Sequence, residues 1–273
     1  MPTSRSASRG VKPAAQAPST RRRSYWPLVL IGLIAVLGVI IAALPASIIA
    51  HFLPPSIRAE DFSGSFWHGS AGRITVNARD AGALEWRLHP GGLLALAADV
   101  DLHWVKVGFV IDAAVKVDRR GFTARDIKGH GPIEDLRDFG VTPGWRGIAD
   151  MSFSELKGDY IKPLAAVGDI QVANLMSAQV ADGANLGSYD LKFAAGAVDA
   201  DGNVASQLKD TGGPLDVQAA INYTARERTA ILTGSLRERP DVPAALRRAI
   251  DSLSQMRGRD PQGRVPVDFE FRF

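Results

Sequence analysis

The sequence predicts a mostly β protein: a single N-terminal transmembrane helix followed by a curved antiparallel β-sheet body, with one amphipathic helix near the C-terminus. Three observations carry this expectation. Residues 28–50 are 23 consecutive positions without a charge, dense in Leu, Ile, Val and Ala, near the start of a 273-residue chain. From Ile57 onward, apolar and polar residues alternate in short runs, the period of a half-buried strand. Residues 241–256 instead place Val242, Leu246, Ala249, Ile250, Leu253 and Met256 along one helical face. The expected organisation is a basic cytoplasmic arm over residues 1–24, an anchor over 25–50 and a β-rich domain over 51–273.

The arm is rich in Ser, Ala, Pro and Arg and has no hydrophobic repeat, so it cannot bury enough surface to offset the entropy of ordering. The uncharged run, as a helix at ~1.5 Å per residue, reaches roughly 34 Å, enough to cross a hydrocarbon core of ~30 Å. Tyr25 and Trp26 stand at its start, where amphipathic rings favour the headgroup level. Arg21, Arg22 and Arg23 precede the run and residues 51–57 contain no Lys or Arg, so the positive-inside rule keeps the N-terminus cytoplasmic and sends the body across. A cleaved signal peptide fits less well, because the run is long and the Pro45-Ala46-Ser47 region is a poor cleavage site.

Charge and composition exclude several function classes. The six cations before residue 26 leave 26 cations against 29 acids beyond it, and the first acid is Glu60. A slightly acidic body without a single-sign field is a poor partner for nucleic acid. Cysteine is absent, which removes disulfides, thiol catalysis and Cys-based zinc sites.

Along the body, Ala98, Val100, Leu102 and Trp104 alternate with Asp99, Asp101 and His103, and residues 110–117 and 189–193 read as further strands. Asp201-Gly202 predicts a hairpin between residues 191–198 and 204–208. Gly212-Gly213-Pro214 separates that strand from 215–224, and residues 226–228 turn into 229–236, the spacing of a meander. A short helical stretch falls at 132–139. The stronger helix at 241–256 is expected to be capped by Asp241 and ended by Gly258 and Pro261, before a last strand at 265–273. Strand signals fade over 140–165, leaving open one sheet or two sub-sheets.

Candidate chemistry is thin. Gly64, Gly69 and Gly72 surround Trp67, but no Lys-Ser/Thr follows, so a tight turn with Trp67 packed into the sheet is expected rather than a phosphate loop. Asp99, Asp101 and His103 share a strand face, yet same-face neighbours lie ~6.6 Å apart, too far to ligate one ion without further partners. Asp199, Asp201 and Asn203 lack the Gly and Glu positions of a calcium loop and fit a hairpin turn. The five histidines are dispersed, with no HExxH and no G-x-S-x-G. The expectation is no enzyme: no catalytic, cofactor-binding or metal-ligating residue.

The stretch Gly64-Ser65-Phe66-Trp67-His68-Gly69-Ser70-Ala71 resembles the G-x-hydrophobic-W-x-G-x-A signature of the type II secretion system protein N family. Further elements fall in that family's order: Leu44-Pro45-Ala46-Ser47, then Trp86 with Pro90, Leu186-Gly187-Ser188-Tyr189, Gly212-Gly213-Pro214-Leu215, Leu236-Arg237-Glu238-Arg239, and Gly263-Arg264. Ala225-Arg226-Glu227-Arg228 departs from it, where the family tends to place a Gly-containing turn. The resemblance implies a non-catalytic, single-pass inner-membrane component of the machinery that exports folded proteins across the outer membrane. Its implied partners are other type II secretion subunits and the lipid bilayer, and Gly64, Trp67, Gly69, Trp86, Pro90, Gly212, Gly213, Pro214 and Gly263 become structural positions without cofactor. The alternative is a periplasmic lipid-handling sheet similar to the AsmA type, with phospholipid as ligand.

Overall fold

The computed structural model describes residues 35–36, 38–93, 96–139, 141, 143–227 and 229–272. The chain divides into two compact units, residues 1–42 and 43–273. In the first, residues 35, 36 and 38–42 are helical, and Val36, Val39, Ile40 and Ile41 are exposed. Among the described residues no helix is long and apolar enough to cross a membrane. Arg21, Arg22, Arg23, Tyr25, Trp26 and the basic arm lie outside the described residues.

The second unit is built on one thirteen-stranded antiparallel sheet in which every strand pairs with its sequence neighbours. The strands are β1 (Ile57–Gly64), β2 (His68–Val76), β3 (Arg79–His89), β4 (Ala98–Lys106), β5 (Phe109–Asp118), β6 (Gly121–Pro132), β7 (Trp145–Gly158), β8 (Pro163–Ser177), β9 (Asn185–Phe193), β10 (Val204–Gly212), β11 (Leu215–Thr224), β12 (Thr229–Glu238) and β13 (Val265–Arg272). The meander answers the question left at 140–165: the region holds the two longest strands, β7 and β8, and the sheet runs through it unbroken.

The register explains why one face is dry. Phe62, Ala71, Leu84, Trp104, Ile111, Gly129, Met151, Ile170, Leu191, Leu208, Ala219, Gly234 and Val267 stand opposite one another, strand by strand, across the whole sheet. The adjacent row runs Ser63, Ser70, Glu85, His103, Asp112, Lys128, Ser152, Asp169, Lys192, Gln207, Ala220, Thr233 and Asp268. Directly paired residues share a face, so the first row is wholly apolar or glycine and the second almost wholly polar. A slip of one residue in any strand would exchange them, which fixes the register.

The apolar face is covered unevenly. At its C-terminal end the helix Ala244–Arg257 buries Leu246 and Ile250 against Leu186, Leu215, Val217 and Val265. This helix starts after Pro243, with no side-chain cap; Asp241 lies outside it, so the expected Asp241 cap is not formed. Proline is suited to a helix start because its missing N–H falls where no intrahelical acceptor exists. The short stretch at 132–139 is a 3₁₀ segment, Ile133–Phe139, which packs Ile133 against Phe109 and Ala149. At the N-terminal end a second 3₁₀ segment, Ala46–Phe52, lies on β1 and β2 with Ala46 buried. The uncharged run therefore continues past its apolar helix into the sheet unit: Pro45 bridges Ser65, and the Phe66 amide donates to the Leu44 carbonyl at 2.8 Å.

Candidate functional site

Between the Ala46–Phe52 segment and the Ile133–Phe139 segment, the apolar face of β1–β5 is left as a groove of about 740 Å³. Its lining is apolar throughout: Ile49, Leu53, Ile57, Ala59, Phe62, Phe66, Ala71, Ile74, Val76, Ala81, Leu84, Trp86, Leu88, Val100, Leu102, Trp104, Ile111 and Leu136. Period two brings Leu84, Trp86 and Leu88 to this face, with Glu85 and Arg87 exposed on the other. A bulge between Ala71 and Ile74 against β3, with Gly82 at φ +86°, keeps Ala81 on the same face as Leu84. Both indole N–H groups are satisfied within the fold. Trp86 Nε1 donates to the Phe66 carbonyl at 3.0 Å, and Trp104 Nε1 to the Ala81 carbonyl at 2.6 Å.

The residues singled out in the sequence gather at two ends of the sheet. Gly64 ends β1, Trp67 lies in the β1–β2 turn and Gly69 lies at the start of β2, all beside the groove. Gly64 adopts φ +83°, and a Cβ there would stand 2.4 Å from the His68 carbonyl oxygen. Gly69 faces Trp86, whose ring also meets Phe62 edge-on at 6.4 Å. Trp67 sits in the turn rather than in a strand, half-buried, its neighbour Phe66 edge-on at 5.4 Å and its own carbonyl accepting from the Leu88 amide. Pro90 opens one helical turn, Pro90–Leu93, after β3.

At the other end, Gly212, Gly213 and Pro214 form the β10–β11 turn. Gly213 passes so near Gly187 that a Cβ would lie 2.4 Å from the Gly187 Cα. Arg239 ties this turn down, donating to the Gly213 carbonyl at 2.8 Å and pairing with Asp210. Arg237 and Arg264 converge on Asp216 at 2.8 and 2.6 Å, and Gly263, at φ +74°, completes the turn that delivers Arg264. The Arg264 hydrogen bond, more than that of Arg237, holds the Asp216 carboxyl below its usual range. Burial, with Asp210 nearby, pushes the Tyr189 hydroxyl up to about 12, so it stays protonated and donates to the Leu186 carbonyl at 2.7 Å. Two ion groups, Arg239 with Asp210 and Arg237 with Arg264 on Asp216, tie neighbouring strands together at this end of the sheet.

Among the described residues the polar face carries three cross-strand His–Asp pairs: His89 with Asp101 at 2.9 Å, His103 with Asp112 at 2.7 Å and His130 with Asp150 at 2.6 Å. Asp99, Asp101 and His103 thus lie on the outer face, as their spacing predicts, and two of them pair with neighbouring strands rather than converging. Ser70 is separated from His103 by β3, about 10 Å at the usual strand spacing, beyond the reach of a nucleophile–base hydrogen bond. No group of three or more His, Asp or Glu among the described residues is placed to hold a metal ion. Asp199 accepts from the Asp201 and Asn203 amides and the Asn203 side chain, which makes that segment a turn; β9 itself ends at Phe193, earlier than the expected hairpin.

Sequence reading missed the groove as a unit. Ile49 and Leu53 were hidden in or beside an apolar run that reads equally well as membrane span, and Leu136 comes from a turn distant in sequence. The converging arginines were visible only as family elements.

An open meander with one apolar and one polar face, whose distinctive residues shape turns and a groove, defines a β-sheet scaffold protein. The chain belongs to the family described as type II secretion system (T2SS), protein N, whose family model matches residues 55–268. It is similar to the type II secretion system protein N of Aeromonas hydrophila, 24% identical over 264 residues that cover 88% of this chain and 95% of that protein. No solved structure matches it. The chain is therefore a component of the type II secretion machinery.

Proposed function

We propose that the chain is a non-catalytic inner-membrane component of that machinery, supporting export of folded proteins across the outer membrane. Residues 25–44 form the anchor, the N-terminus is cytoplasmic and the sheet unit lies in the periplasm. The packing of Pro45 and Ala46 onto the sheet supports an anchor that ends at Leu44 rather than at residue 50. A helix of about twenty residues at ~1.5 Å each would span about 30 Å, the thickness of a hydrocarbon core.

The observation that carries this reading is the family match over most of the sheet unit. The exposed Val36, Val39, Ile40 and Ile41 support an anchor, since water would penalise such a helix surface. Other secretion subunits are the natural partners, and among the described residues β1 and β13 are the edge strands of the sheet, where a partner strand could add. In a host that exports enzymes by this route, removing the chain should strand those enzymes in the periplasm, and re-expression should restore export. Undiminished export without the chain would reject the role.

A further inference from the structure

We propose that the groove on β1–β5 holds an acyl chain of a membrane phospholipid. The occupant follows from what the walls lack. Every lining side chain is apolar, and apart from the outer edge of β1 the strand backbones beneath them are paired in the β1–β5 ladder. The indole N–H groups of Trp86 and Trp104 are both taken by carbonyls of the fold, so the rings offer only their apolar surfaces. A peptide laid in this groove would bury amides with no partner, at a cost of several kcal/mol each in an apolar site. An acyl chain carries no such groups. The volume of about 740 Å³ lies within the ~300–1,000 Å³ of ordinary ligand pockets.

Chain connectivity names the source. Ile49, in the groove wall, is five residues beyond Leu44, so the wall lies within about 18 Å of the proposed end of the anchor even if the link were fully extended. This step rests on the anchor reading given above: if residues 25–44 span the bilayer, the same short link bounds the distance of the groove from the membrane, which makes the bilayer the nearest source of acyl chains.

The test reconstitutes the full chain into vesicles of phosphatidylethanolamine and phosphatidylglycerol doped with a phospholipid bearing a photoreactive acyl terminus. Labelled peptides are then mapped. The inference expects label on peptides containing Phe62, Leu84 and Leu102 as well as on residues 25–44. Ala59→Trp, which fills the groove, should lose the groove label and keep the anchor label, while Arg58→Ala on the opposite face keeps both; the melting curve of each variant verifies the fold. Label on 25–44 alone, or groove label unchanged in a folded Ala59→Trp protein, overturns the lipid assignment. Groove label without anchor label overturns the anchor reading instead.

Discussion

Gly69 leaves the space that the Trp86 indole occupies: a Cβ built at Gly69 would stand 2.5 Å from Trp86 Cζ2 and 2.7 Å from the Ser65 carbonyl oxygen. The two residues are also directly paired across β2 and β3. A sequence signature that resembles a glycine loop is thus a packing device, in which a missing side chain on one strand accommodates the largest side chain on the next. Gly69→Ala should displace the indole and break its hydrogen bond to Phe66, destabilising by roughly 1–3 kcal/mol. Chemical denaturation followed by Trp fluorescence reads both effects, and an unshifted midpoint would show that the turn absorbs the methyl group.

Trp86 is the other half of that relationship. Truncation to Ala should cost about 3–5 kcal/mol, the usual range for a buried aromatic, and leave the Phe66 carbonyl without its donor. Glu85→Ala, one residue away on the exposed face, should change stability by less than about 0.5 kcal/mol. Comparing thermal melting and proteolysis of the two variants separates them. Equal effects would mean that the strand's two faces are not distinct in energy.

The Asp216 network gives a pH dependence of known sign. Its carboxyl is held below the ordinary value of 3.8 by Arg264 first and Arg237 next, so the folded state takes up this proton less readily than the unfolded one. The stabilisation is complete above that value and fades as pH falls through the lower folded value. Asp216→Asn should lower the melting temperature at neutral pH by removing charge-assisted bonds worth about 1.5–3 kcal/mol. The gap between wild type and variant should narrow below pH ~3.8 as Asp216 is protonated. A gap that stayed constant to low pH would remove the carboxylate from the argument.

Topology is tested through Arg21, Arg22 and Arg23. A reporter active only in the periplasm should be active when fused after Phe273 and silent when fused before Arg21. Neutralising the three arginines should raise the misoriented fraction, because they are the main charge bias next to the anchor. A silent C-terminal fusion to a full-length, stable chain would reverse the proposed compartment.

The alternating strands were legible because one face of the sheet is dry and the other wet, so β4, β5, β11 and β12 announce themselves residue by residue. The strands β7 and β8 did not. Bulges at Arg146/Ile148, Phe153/Glu155 and Val172/Leu175 shift the alternation in phase. Gly147, Gly158 and Gly168 lie among them, where strand propensity is weak but neighbouring backbones come close; a Cβ on Gly168 would meet the Ser152 carbonyl oxygen at 2.3 Å. The role of residues 46–50 was illegible for a different reason. Apolarity there serves a membrane and a sheet equally, and no local pattern encodes the packing of Ala46 and Ile49 on the cluster of Ala71 and Trp86. The Asp241 cap failed because Pro243 sets the helix start two residues later. The ion network around Asp216 joins residues up to 48 apart, a juxtaposition that no local pattern encodes.

Site-specific photocrosslinking in intact, exporting cells reads out whether this secretion subunit presents its sheet to partners in the periplasm. Probes would be placed along the polar row at Glu85, Asp112, Lys128 and Asp169 and on the two edge strands at Arg58 and Glu270. The account predicts crosslinks from some of these positions to other type II secretion subunits, lost when those subunits are deleted. A folded, membrane-held chain that crosslinked to no secretion subunit from any position would contradict it.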